Sequence, residues 1–117
     1  MVKTFQDLKV WQKAHELVLE IYKITSKFPV EEKYGLANQL RRAAISVTSN
    51  IVEGFKRKSL RDRIHFYNMS DSSVEEVKYQ LLLAKDLQYI NENLYKKVIE
   101  LTEEVSKMLN SWIKTQR

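Results

Sequence analysis

Three observations predict an all-α chain folded as an antiparallel up-down-up-down four-helix bundle. Two glycines and one proline among 117 residues are too few for a turn-rich β-protein. Four segments carry apolar residues at three- and four-residue steps, the period of an amphipathic helix. The segments follow one another with only a handful of residues between them, and short connections make successive helices antiparallel neighbours.

The first helix is expected from about Phe5 to Lys27. Thr4 or Asp7 can cap its start. Pro29 ends it by removing a donor and by disfavouring helical backbone at Phe28. Its inward residues are Trp11, Ala14, Val18, Ile21 and Tyr22, with Val10, Leu17 and Ile24 beside them. The second helix is expected from about Tyr34 to Arg57 and the third from about Leu60 to Leu87. Ser59, followed three residues on by Asp62, has capping-box spacing and marks the break between them. The third helix turns Phe66, Ser70, Ser73, Val74, Val77, Leu81 and Ala84 inward. In the fourth, from about Glu92 to Ile113, Leu94, Val98, Leu101, Val105, Met108 and Trp112 alternate steps of four and three, as a bundle seam does.

Composition bounds the function. With 44% apolar and 30% charged residues, the chain is expected to form one globular domain over residues 1–117. No window approaches ~18 uncharged apolar residues, so no membrane span is expected. The opening "MVKTFQDLKVW" lacks the apolar run of a signal peptide. The absence of cysteine excludes disulfides, zinc-thiolate sites and thiol nucleophiles, and a cytoplasmic protein is the simplest expectation. His15 and His65 fall on different helices, outside any HExxH pattern or Glu-x-x-His pair. Two glycines cannot build a phosphate loop. No catalytic residue, metal ligand or cofactor is assigned, and the chain is expected not to be an enzyme.

Winding the second helix at 100° per residue sorts two stripes. Leu36, Leu40, Ala44, Val47, Ile51 and Phe55 lie on one. Gln39, Arg42, Ser46, Asn50, Glu53 and Arg57 lie roughly 120° away. Two readings fit the polar stripe. In one, Ser46 and Ala43 are small because another helix crosses closely, while Asn50 and Glu53 bond across the bundle, since a buried carboxylate needs partners. In the other, Ser46, Ser49, Asn50 and Glu53, with Ser73 and Glu76 of the third helix, face another subunit.

Charge is concentrated beside that stripe. Between Arg41 and His65 lie seven basic residues, Arg41, Arg42, Lys56, Arg57, Lys58, Arg61 and Arg63, and two acids, Glu53 and Asp62. That excess of five equals the net charge of the whole chain, +5. Lys56 to Arg63 straddle the turn between the second and third helices and therefore one end of the bundle. Such a group can engage RNA or DNA phosphates with salt-sensitive affinity, or can simply be a solvated turn. Tyr67 and Phe66 are near enough to add stacking if exposed, although Phe66 fits the core better.

The stretches "FQDLKVWQKAHELVLEIYKIT", "FPVEEKYGLANQLRRAAISVTSNIVEGFKRKS" and "SSVEEVKYQLLLAKDLQYI" resemble the four-helix bundle family encoded in intervening sequences of bacterial 23S ribosomal RNA genes. The most specific part resembles the family's RRAA-x-S-[IV]-x-SN-[IV]-x-EG pattern, filled here by Arg41, Arg42, Ala43, Ala44, Ser46, Ser49, Asn50, Glu53 and Gly54. Ser73 and Glu76 match a Ser-x-x-Glu pattern. Thr48 departs from the family, where many members carry Pro, so a softer kink is expected there. The resemblance implies a homopentamer with a central channel. It also implies kinship with accessory proteins of diversity-generating retroelements, which bind a reverse transcriptase and nucleic acid through a basic surface. Nucleic-acid binding is the expectation that follows, with a protein-interaction scaffold as its rival.

Overall fold

A computed structural model describes residues 1–117. A 3-10 turn at Phe5–Asp7 precedes α1 (Lys9–Thr25), and a second at Val30–Glu32 precedes α2 (Leu36–Lys56). The helices α3 (Leu60–Asp86) and α4 (Glu92–Thr115) complete the chain, and there are no strands. Each helix packs on its two neighbours around a square, α1 on α2 and α4, and α3 on α2 and α4. The long dimension of 43 Å is set by α3, whose 27 residues span about 40 Å.

The first helix starts later than its periodicity predicts. The Asp7 carboxylate accepts the backbone N–H groups of Lys3 (2.8 Å) and Thr4 (2.9 Å), which closes the 3-10 turn and holds its pKa below the usual range. Leu8 then adopts extended backbone (φ −75°, ψ 123°) and drops its side chain into the core, 3% exposed. At the other end, the Thr25 hydroxyl donates to Ile21 O at 2.7 Å. Helix α2 starts at Leu36 rather than Tyr34, because the Glu32 carboxylate accepts the Leu36 N–H at 2.9 Å and caps the first turn from outside. The same carboxylate accepts the Tyr89 hydroxyl at 2.8 Å, tying the α1–α2 connection to the α3–α4 turn. Those two bonds, the Leu36 N–H foremost, hold Glu32 below the usual carboxylate range. Helix α3 ends in a Schellman arrangement: Tyr89 N–H donates to Ala84 O and Gln88 N–H to Lys85 O, both 2.9 Å. Gln88 takes the left-handed position there (φ 66°), where glycine is usual.

The second and third helices share the most extensive contact. Gly54 of α2 is buried against α3, and the small residues Ala43 and Ala44 are buried on the same helix. The Ser70 hydroxyl of α3 donates to the Val47 carbonyl of α2 at 2.7 Å, so backbone and side chain meet directly. Gly54 lies under the Tyr67 ring, and a Cβ there would stand 2.5 Å from the ring carbon Cε1. Helix α2 runs unbroken through Thr48, whose hydroxyl bonds Ile45 O at 2.9 Å.

Inward assignments change on three helices. Tyr67, not Phe66, is the core aromatic of α3, fully buried where Gly54 leaves room, while Phe66 stays half-buried. Ser73 sits half-buried at the α2–α3 seam rather than inside. On α4 the buried row is Val98, Thr102, Val105, Leu109 and Ile113, with Leu94, Leu101, Met108 and Trp112 half-buried on its flank. Thr102 can occupy the core because its hydroxyl donates to Val98 O at 2.7 Å. On α1, Trp11 is half-buried and Tyr22 is 42% exposed.

Gly54→Ala is expected to lower unfolding stability by about 1–3 kcal/mol, because the rigid Tyr67 ring must shift to admit a methyl group; urea denaturation followed by circular dichroism measures this. A second expectation concerns pH. A carboxylate with a lowered folded pKa stabilises above its unfolded pKa, and that stability is lost as pH falls through the folded value. The urea midpoint of Glu32→Gln should therefore lie below that of the unaltered protein at neutral pH, and the two should converge in acid.

Candidate nucleic-acid interface

The turn between α2 and α3 contains three residues, Arg57, Lys58 and Ser59, and its geometry decides which cations face solvent. Arg57 leaves the helix with extended backbone (φ −69°, ψ 143°), its N–H donating to Gly54 O at 3.2 Å. Ser59 Oγ accepts the Asp62 N–H at 3.1 Å and caps α3, as the capping-box spacing predicts. The Arg63 guanidinium reaches back across the turn. Its Nη1 donates to Lys58 O at 2.8 Å and Arg57 O at 3.4 Å, satisfying carbonyls that the end of α2 leaves open. Arg57 pairs with Glu53 one helical turn earlier (3.0 Å) and lies over the Phe66 ring, 4.6 Å from its centroid. Lys56, Lys58 and Arg61 are exposed and make no ion pair. An open hollow of about 640 Å³ lies among Glu53, Lys56, Arg57, Lys58, Ser59 and Asp62.

Arg41 and Arg42 belong to a different level of the bundle. Fifteen residues separate Arg41 from Lys56 on one helix, about 22 Å along its axis. The Arg41 Nε donates to the Thr25 hydroxyl at 2.8 Å, and its guanidinium covers the Tyr22 ring at 4.7 Å, so it fastens α2 to α1. Arg42 is exposed and unpaired.

The polar stripe of α2 divides in two. Ser46 lies at the seam with α3: the Ser73 hydroxyl donates to Ser46 Oγ at 2.8 Å. The Asn50 amide turns back to Ser46, donating to its carbonyl at 2.8 Å and its hydroxyl at 3.0 Å. Neither Asn50 nor Glu53 bonds across the bundle. Glu53 pairs within its own helix, and Ser49 and Glu76 are exposed.

The fold adds cations that the local sequence does not connect with this end. Antiparallel packing brings the start of α1 and the end of α4 level with the α2–α3 turn, and with them Lys9 and Lys114, both exposed. Trp112 of α4 meets Tyr67 edge-on, ring centroids 6.2 Å apart. Burial pushes the Tyr67 hydroxyl pKa up, opposed by the Trp112 indole and the Arg63 cation. His15 and His65 stay apart, and no group of three His, Cys, Asp or Glu side chains converges.

Removing the Arg63 guanidinium by Arg63→Met is expected to lower stability by about 1 kcal/mol, since the turn loses hydrogen bonds that water only partly replaces. Lys58→Gln, on the same turn, should stay within about 0.5 kcal/mol of the unaltered protein. Paired thermal melts separate the structural cation from the free one.

Similarity to known proteins agrees with this architecture. A family model described as 23S rRNA-intervening sequence protein matches residues 6–111. A crystal structure of a protein with unknown function from the S23 ribosomal protein family of Bacteroides thetaiotaomicron VPI-5482 superposes with a TM-score of 0.83 at 27% identity, covering 90% of this chain and 95% of that one. No curated protein matches. The match over residues 6–111 and the shared bundle place this chain in one family: it belongs to the 23S rRNA-intervening sequence proteins.

Proposed function

We propose that this protein is a cytoplasmic, non-enzymatic bundle that binds RNA or DNA through its cationic end and works as a homo-oligomer. One observation carries the reading: Lys56, Lys58 and Arg61 stand exposed and unpaired on and beside the α2–α3 turn, with Lys9 and Lys114 at the same end. Cations not spent on internal pairs are free to displace counterions from phosphates. No helix is long and apolar enough to cross a membrane. The family resemblance supports a pentamer, and exposed Met69 (42%) and Tyr79 (63%) on α3 supply apolar surface that subunits can bury. Several such ends in one assembly would add their fields and raise the association rate with an anionic strand.

Generic RNA should bind with an affinity that falls steeply as salt rises. Replacing Lys56, Lys58 and Arg61 together with Gln should flatten the slope of log affinity against log salt by about 2–3 while the thermal melt stays unchanged. Undetectable binding at low salt would leave the protein-interaction scaffold as the function. Sedimentation tests the assembly, because a species near 13.9 kDa would be a monomer.

A further inference from the structure

At the same end, on the α1–α4 side of the bundle, lies a groove that shares only Lys9 with the cations named above. It has a volume of about 520 Å³ and runs between the N-terminal segment and the last turns of α4. Leu8, Val10, Met108 and Trp112 form its walls, and Lys9 and Lys107 line it from opposite sides. Both lysines are exposed and neither joins an ion pair. The acid that lines it, Asp7, already has its carboxylate committed to two backbone N–H groups. The volume lies within the 300–1,000 Å³ of typical small-ligand pockets. Trp112 also meets the buried Tyr67, which packs on Gly54, two residues before Lys56, so the groove and the turn lie at the same end of the bundle.

We infer that this groove receives an unstacked base of a single-stranded nucleic acid whose phosphates run over Lys9 and Lys107 towards the α2–α3 turn. Charge complementarity selects this occupant. An apolar slot with an aromatic wall suits a base face, and the two unpaired ammonium groups suit the phosphates on either side of it. A duplex keeps its bases stacked and can offer only phosphates. The inference rests on the proposed function and adds a preference for single strands.

The experiment compares a short unstructured single-stranded RNA with a duplex carrying the same number of phosphates. The protein carries Trp11→Phe, so that emission reports Trp112 alone. The single strand should bind about tenfold more tightly, within the range for one stacked base, and should quench Trp112, whereas the duplex should not. Ser111→Phe, which narrows the groove without altering charge, should bring single-strand affinity down to the duplex level. Lys9→Gln with Lys107→Gln, far from the core, should weaken the quench even if the first variant folds poorly. Equal, salt-sensitive binding of both nucleic acids without quenching overturns the groove alone. Binding of neither at low salt overturns the proposed function with it.

Discussion

The close approach of α2 to α3 is the constraint from which the rest of the molecule follows. A serine hydroxyl of one helix reaches a backbone carbonyl of the other, and a tyrosine ring packs directly against a glycine. Both contacts need small residues where the helices meet, Ser70 on one side and Gly54 on the other. Helices held this close can be joined by three residues, and a three-residue turn gives its side chains little freedom to disperse. Concentrated charge at one end is thus a consequence of packing. The energy of the fold lies in the buried apolar rows and this seam, because the ion pairs are all partly solvated and worth little.

The cations divide by chemistry as well as by place. Arg41, Arg57 and Arg63 are each engaged through planar guanidinium groups, on hydroxyl, carboxylate, carbonyl or ring. A guanidinium presents its donors in a fixed planar fork and can lay its face on a ring, which suits it to these anchoring roles. Lys56 and Lys58 remain in water, with Arg42 and Arg61. A cluster that looks uniform in the sequence is therefore part mortar and part surface.

The helices and their order were legible because periodicity survives local detail, and the Ser59 cap was legible because it is chemistry between near neighbours. The inner aromatic of α3 was not. Phe66 and Tyr67 adjoin on the helix, and what chooses between them is a missing side chain on a different helix, at Gly54. The core of α4 was displaced for a related reason: Thr102 looks polar until its hydroxyl bonds its own helix. The seam between Ser46 and Ser73 was visible as small polar residues, but Asn50 and Glu53 bond locally, which spacing alone does not reveal. Lys9, Lys107 and Lys114 were missed because only the antiparallel closure of the bundle carries residues so far apart in the chain to one end.

An even number of antiparallel helices returns the chain to its starting end. Met1 and Arg117 consequently emerge beside the cationic turn, while the Glu32–Tyr89 clasp closes the opposite end. An affinity handle fused to either terminus would hang over the charged surface, and an acidic or histidine-rich handle would alter the field that surface presents. The clasped end, at the Gln88 bend, is where a reporter dye or an inserted peptide would sit farthest from Lys56, Lys58 and Lys9.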